Sequence, residues 1–201
     1  MPKIVDHDQR RDEIAGVATA LIANGGLEAA TIRAIAGASG HSKGVVEHYF
    51  ENKQRIIQAA LQWINARYSE RASAVTEGHT GLAALRERIL TTLPTTREIR
   101  DEWKVRLVFY SQAAIDGDLR REQSRRWRSA VAVYEKEIRA AISNGEVSHA
   151  IDPEQQARRL LQTTIGISTA ALHDTGFYTA KQLRAEVDQL LVPLTNTRVA
   201  A

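Results

Sequence analysis

The stretch Thr31 to Lys53, TIRAIAGASGHSKGVVEHYFENK, constrains this chain more than any other part of it. Ile32, Ile35 and Ala36 fall at i, i+3 and i+4, the spacing of one helix face, and Thr31 stands just before them with a hydroxyl suited to capping a helix start. Ser42 offers a second cap, and Val46 and Phe50 follow one turn apart on an inward face. Lys43, Gly44, Glu47 and His48 are left on other faces, where solvent or a partner meets them. Between the two patterns lies a tight turn containing Ser39, Gly40 and His41. Two short helices joined in this way form the helix-turn-helix arrangement, which sets its second helix in a DNA major groove. The stretch therefore reads as the core of a DNA-binding regulator.

The rest of the chain repeats the helical period. Ile14, Val17, Ala18, Leu21 and Ile22 form one face of a helix that Gly25-Gly26 stops. After the motif, Lys53 begins a longer pattern through Ile57, Ala60, Leu61, Ile64 and Tyr68 to about Val75. Gly78 to Gly81 breaks the chain, and Leu82, Leu85, Ile89 and Leu93 then mark a helix ended by Pro94. Glu98 to Asp116 is apolar on most sides, which predicts a buried helix. Asp116-Gly117-Asp118 turns into an Arg-rich helix with Trp127, Val131, Tyr134, Ile138 and Ala141 inward. Asp152-Pro153 starts another, carrying Leu160, Leu161, Ile165 and Ser168, and Thr179 with Gln182 has the capping-box spacing for a last one. No stretch reads as a strand. The expected fold is all-α, with a helix-turn-helix DNA-binding domain over residues 1–52 and a helical domain over 53–201.

Charge does not carry the DNA-binding reading. The net charge is +3, but residues 1–60 hold seven basic and seven acidic side chains, so placement rather than number has to do the work. Cys is absent, which excludes disulfides and thiolate chemistry. No apolar run reaches signal-peptide or membrane-span length, so a cytoplasmic protein with no membrane partner is expected. His7, His41, His48, His79, His149 and His173 show no metal-ligand spacing. The run Ser39 to Gly44 lacks the spacing of a phosphate loop, and no catalytic motif or carboxylate pair is evident. No cofactor, metal or enzymatic activity is expected.

Over about 45 residues the chain resembles the TetR family of bacterial transcriptional regulators. The resemblance rests on Arg10-Arg11 to Leu21, Gly26-Leu27, Thr31-Ile32-Arg33-Ala34-Ile35-Ala36, Ser39-Gly40-His41-Ser42, Gly44, His48-Tyr49-Phe50 and Asn52-Lys53. It implies an all-helical homodimer whose N-terminal helices bind a palindromic double-stranded DNA operator and whose C-terminal helices bind a small-molecule effector. The last two helices would form the dimer interface, and the effector would release the protein from DNA. Position by position, Lys43, Gly44, Val45 and His48 resemble residues that face base edges. Arg33 stands where a guanine is reached, with the side chain best shaped for that contact. Tyr49, Lys53 and Thr31 match phosphate-gripping positions, and Ser42, the cap of the second helix, completes the candidate DNA-binding set. His41 departs from the apolar residue usual under the turn, and Glu47 stands where a phosphate-binding Tyr is common. VVEHYFENK and WKVRLVFYSQA further resemble the choline-responsive repressors of betaine synthesis.

For the effector, Trp103, Phe109, Tyr110, Trp127 and Tyr134 are the candidate ligand-binding residues. Their faces could hold a quaternary ammonium by cation–π attraction, although core packing is the simpler role of each. The Arg-rich segment Arg120 to Arg128 is a solvated face, or part of it binds an anionic ligand or a partner. The competing class is a helical DNA-binding or protein-interaction dimer with no small-molecule effector.

Overall fold

The structure, a computed structural model, describes residues 7–195. Its elements are α1 (His7–Gly25), a single 3-10 turn at Leu27–Ala29, α2 (Ile32–Ser39), α3 (Lys43–Tyr49), α4 (Lys53–Thr76), α5 (Gly81–Thr92), α6 (Arg97–Ile115), α7 (Gly117–Ser143), α8 (Pro153–His173) and α9 (Ala180–Thr195). The fold is all-α.

Most helix starts are set by short polar side chains. Thr31 Oγ1 accepts from Ala34 N at 3.1 Å and Ser42 Oγ from Val45 N at 3.3 Å. Asn52 Oδ1 accepts from Arg55 N at 2.9 Å, Asp116 Oδ1 from Leu119 N at 2.9 Å, and Asp152 Oδ1 from Glu154 N at 3.0 Å. At α9 only half of the expected capping box forms. Thr179 Oγ1 accepts from Gln182 N at 3.2 Å, but the Gln182 amide donates forward to Glu186 at 2.9 Å, and the Thr179 N–H donates to Phe177 O at 2.9 Å and not to the Gln182 side chain.

The chain divides into two compact units. The first comprises residues up to Arg67 together with Arg100–Leu119, and the second comprises Tyr68–Ile99 with the residues from Arg120 onward. In the first, Ile14, Ala18 and Ile22 of α1 meet Ile35, Val46, Phe50, Ile57 and Ile64, with Val105 and Phe109 of α6 in the same core. Trp63 lies against α1 so closely that a methyl group on Gly16 would come within 3.1 Å of its ring. The Arg67 guanidinium covers that ring at 3.9 Å from its centroid. Helix α6 is less apolar on its surface than its sequence suggests. Trp103, Val105 and Phe109 are buried, but Ile115 is 81% exposed. Glu102 and Arg106 are buried as an ion pair at 3.3 Å, four residues apart.

The second unit packs Leu85, Ile89 and Leu93 of α5 with Tyr134, Ile138 and Ala141 of α7, Leu160 of α8, and Leu183, Val187 and Leu191 of α9. Arg86 Nε donates to Asp188 Oδ1 at 2.7 Å, joining α5 to α9. The Arg-rich segment of α7 is partly self-paired, since Arg126 donates to Glu122 at 2.5 Å and Arg128 to Ser124 Oγ at 2.9 Å. The start of α5 is capped from a distance: Glu146 Oε2 accepts from Leu82 N at 2.8 Å, and Asn144 Nδ2 donates to Glu146 Oε1 at 3.1 Å. Gly81 makes this possible. Its φ is +64°, and a methyl group there would lie 2.5 Å from Glu146 Oε2. Gly81→Ala is therefore expected to cost about 1–3 kcal/mol by combining left-handed strain with loss of the cap. A lowered urea midpoint checks this, and an unchanged midpoint contradicts it.

Candidate nucleic-acid interface

Helices α2 and α3 each have a sealed face and an open one. Ile35, Ala36, Val46 and Phe50 point into the core of the first unit at 0%, 7%, 0% and 1% exposure. The turn between the helices is made by Gly40 at φ +70°, a left-handed conformation that glycine adopts without strain. With the inward residues fixed, the helical period leaves Thr31, Arg33, Ser42, Lys43, Gly44, Glu47 and His48 exposed, with Val45 and Tyr49 half-buried at the margin. The structure thus brings the sequence-predicted DNA-binding residues of the motif onto its open face, and Lys53 follows, exposed, at the start of α4.

The two capping hydroxyls face two ways chemically. Thr31 Oγ1 and Ser42 Oγ accept from backbone N–H groups, which leaves each O–H to donate outward. Arg33 is exposed and makes no ion pair or hydrogen bond among the described residues. Its fork of donors is available to an incoming acceptor. Lys43 is not so free: its Nζ lies 3.0 Å from Glu47 Oε1, four residues on. This contact gives Glu47 a place in the helix. It neutralises the neighbouring lysine, in an exposed pair that itself contributes little.

Lys53 is similarly held by the Glu28 carboxylate, from the turn before α2. His41 does not pack as an apolar plug. It is half-buried with Nε2 4.0 Å from Glu13 Oε2 on α1. Sequence reasoning missed one further participant, His7, and one role of His48. His7 Nδ1 lies 3.0 Å from the Tyr49 hydroxyl, and His48 packs edge-on to Tyr49 with ring centroids 5.3 Å apart. Both contacts hold the Tyr49 ring at the margin of the open face. The 42-residue separation of His7 from Tyr49 leaves no periodic signal by which to find the first of them.

Gly44 differs from Gly16 and Gly81 in that a methyl group there would meet nothing within 4 Å. The protein itself does not require glycine at this position. Gly44→Ala is expected to leave the fold intact or stabilise it by up to about 1 kcal/mol. On the DNA side it should weaken binding by about tenfold, comparable to one lost base contact, by holding the helix off the groove. Thermal melting and fluorescence anisotropy on the same preparation check both halves; unchanged affinity would remove Gly44 from the interface.

The candidate effector residues are divided between the two units. Phe109 belongs to the core of the first unit with the half-buried Tyr110 packed against it, and Tyr134 to the core of the second with the half-buried Trp127 packed against it. Trp103 is buried at 1% exposure within the first unit. Among the described residues, no group of three or more His, Cys, Asp or Glu is placed to hold a metal ion, and no helix is long and apolar enough to cross a membrane.

An N-terminal helix-turn-helix with a polar open face, followed by further helices, defines the class: an all-helical protein built to carry a DNA-reading head. The chain belongs to the tetR family of bacterial regulatory proteins, whose profile matches residues 14–60, and residues 81–195 match the C-terminal domain of BetI-type transcriptional repressors. It is 28% identical over 123 residues to the HTH-type transcriptional regulator PksA of Bacillus subtilis, covering 59% of this chain and 58% of that protein. It is 26% identical over 169 residues to the HTH-type transcriptional repressor KstR2 of Rhodococcus jostii, covering 84% of this chain and 68% of that one. The chain thus spans under two thirds of the Bacillus protein and just over two thirds of the Rhodococcus one. A transcriptional regulator from Saccharomonospora viridis, solved in complex with choline, shares the fold with a TM-score of 0.80 at 23% identity, over 92% of this chain and 97% of that one.

Proposed function

We propose that this chain is a ligand-responsive repressor that binds a palindromic operator as a homodimer and is released by a small molecule. The observation that carries the reading is the division of α2 and α3 into a core-sealed apolar face and an exposed face holding Thr31, Arg33, Ser42, Lys43, Gly44 and His48. Arg33, Lys43, Gly44, Val45 and His48 read base edges, and Thr31, Ser42, Tyr49 and Lys53 hold phosphates. A recognition helix of seven residues contacts few base pairs alone. Two protomers reading two half-sites about one helical turn of DNA apart supply the missing affinity and specificity.

Residues 1–52 serve DNA binding, and 53–201 serve sensing and dimerisation. The match of residues 81–195 to the BetI-type C-terminal domain supports that division. Helices α8 and α9 of two protomers form a four-helix contact about a two-fold axis. Apolar side chains left open near and on these helices support it: Phe177 is 56% exposed and Val192 40%. The protein works in the cytoplasm, without cofactor or catalysis. The effector is met by some of Trp103, Phe109, Tyr110, Trp127 and Tyr134, and the choline-bound state of the Saccharomonospora neighbour supports sensing of a small molecule in this fold. Sedimentation of the protein with a bound duplex tests the assembly. Two protomers per duplex are expected, and a monomer bound one-to-one contradicts the reading. Substituting Trp103, Tyr110 and Trp127 tests the aromatic contacts: unchanged effector-induced release would dismiss them.

A further inference from the structure

The second unit gathers polar groups from four helices around one buried tyrosine. Tyr134 of α7 is 3% exposed, and its hydroxyl hydrogen-bonds with the Thr92 hydroxyl of α5 and the Thr164 hydroxyl of α8. Desolvation pushes its pKa up, so it stays a neutral hydroxyl, and Tyr68 of α4 and Arg88 of α5 are near enough to bear on its ionisation. Each threonine hydroxyl also reaches a carbonyl of its own helix, Thr92 Oγ1 lying 3.2 Å from Arg88 O and Thr164 Oγ1 2.8 Å from Leu160 O; with one proton per hydroxyl, at least one of the two threonines donates to Tyr134 instead.

Two donors on the helices that bond Tyr134, each one turn from a threonine that does so, have no acceptor. Ser168 lies one turn beyond Thr164 on the same face of α8, is 0% exposed, and its Oγ has no hydrogen-bond partner. Arg88 lies one turn before Thr92 on α5, and its Nε is likewise buried and unpartnered. Among the described residues no carboxylate pairs with Arg88: Glu87 pairs with Arg86, and Glu137, buried on α7 three residues beyond Tyr134, makes no ion pair with it. A buried hydroxyl and a buried guanidinium N–H each destabilise a fold unless something accepts from them. Since arginine stays charged at any working pH, the complement that both groups lack is an anionic acceptor. The surroundings are aliphatic: Leu85, Ile89, Val131, Ile138, Leu160 and Leu161 belong to the same core.

We propose that Arg88, Ser168 and the Tyr134 hydroxyl form the polar end of an effector site for a carboxylate-bearing amphiphile, with the aliphatic core taking its tail. This rests on the reading of the second unit as the sensing unit, and it sets the ligand's charge opposite to that of a quaternary ammonium. A carboxylate accepts from the Arg88 Nε–H and the Ser168 O–H together, with Tyr134 positioned beside them by Thr92 and Thr164.

The test uses the full-length protein with octanoate, 4-phenylbutyrate, and octyltrimethylammonium as the oppositely charged probe of matched chain length. Calorimetry and thermal melting are read on wild type, Arg88→Gln and Ser168→Ala, with circular dichroism to establish that each variant folds. Saturable binding of at least one carboxylate, absence of octyltrimethylammonium binding, and a loss of about 10- to 100-fold in Arg88→Gln are expected, the size of a hydrogen bond to a charged group. Ser168→Ala should bind more weakly by a smaller factor yet melt no lower than wild type when free, because it removes an unpartnered hydroxyl. Should Arg88→Gln fail to fold, Ser168→Ala alone decides the matter. Saturable binding of neither carboxylate, equal binding of the ammonium, or carboxylate affinity unaffected in a folded variant overturns the proposal. Operator affinity measured in parallel separates the two levels: carboxylate binding that depends on Arg88 but leaves DNA affinity unchanged keeps the site and removes its role in release.

Discussion

Phe50→Ala is expected to destabilise the N-terminal unit by about 3–5 kcal/mol, the range for removing a fully buried aromatic ring. Phe50 is 1% exposed and closes α3, its N–H donating to Val46 O at 2.9 Å. Its ring lies in the core that holds Ile35 and Val46, the residues that fix which way α2 and α3 face. A small helical unit has a total stability not much larger than this loss. The variant should therefore lose helical signal at a markedly lower urea concentration and lose DNA binding with it, although it removes no group that touches DNA. A midpoint within error of wild type would mean that the motif is held by something other than this core.

The second large effect separates reading from gripping. Arg33→Ala should cost about 1–3 kcal/mol on the preferred sequence and relax discrimination at one base position, as expected for loss of a bidentate contact. Lys53→Ala should weaken binding to preferred and scrambled duplexes alike and lower the slope of log K against log salt by about one phosphate contact. The absolute loss at Lys53 should be the smaller of the two, because Glu28 already occupies its ammonium in the unbound chain, whereas Arg33 has no partner to give up. Competition anisotropy at several salt concentrations measures both. Equal loss on both duplexes for both variants would contradict the division of roles.

Local chemistry made much of this legible from residues alone. Thr31, Ser42 and Asp152 announce their helices by a rule that operates over three residues, and each cap is found where the rule puts it. The inward lines through Ile14, Ile35, Val46 and Phe50 follow from the helical period, and the exposed set Thr31, Arg33, Lys43 and His48 is what those lines leave over. Pairings between distant segments were not legible. Nothing in the sequence ties Lys53 to Glu28, His7 to Tyr49 or Glu146 to the start of α5, because such contacts depend on how helices pack and not on any period. The compact units likewise interleave: Arg100–Leu119 packs with the N-terminal residues, which a linear reading of the chain does not anticipate.

The polar cluster around Tyr134 was only half visible. Ser168 falls on the inward line of α8 in the sequence, where a lone small hydroxyl is easily taken for a packing residue. Its unpartnered state emerges only once α4, α5, α7 and α8 are placed around it. The same holds for Arg88, whose period marks it as the edge of an amphipathic helix, while its buried Nε marks it as a donor in want of an acceptor.

The most direct test of the central claim, that the open face of α2 and α3 reads DNA as one half of a two-fold pair, is selection of bound duplexes from a pool with a fully randomised centre. An inverted repeat is predicted, with half-site centres about one helical turn apart or a multiple of it. Its enrichment should vanish in the Arg33→Ala, Lys43→Ala double variant while that variant remains folded. A non-repeated motif, or a pool that stays random after successive rounds at moderate salt, would contradict it.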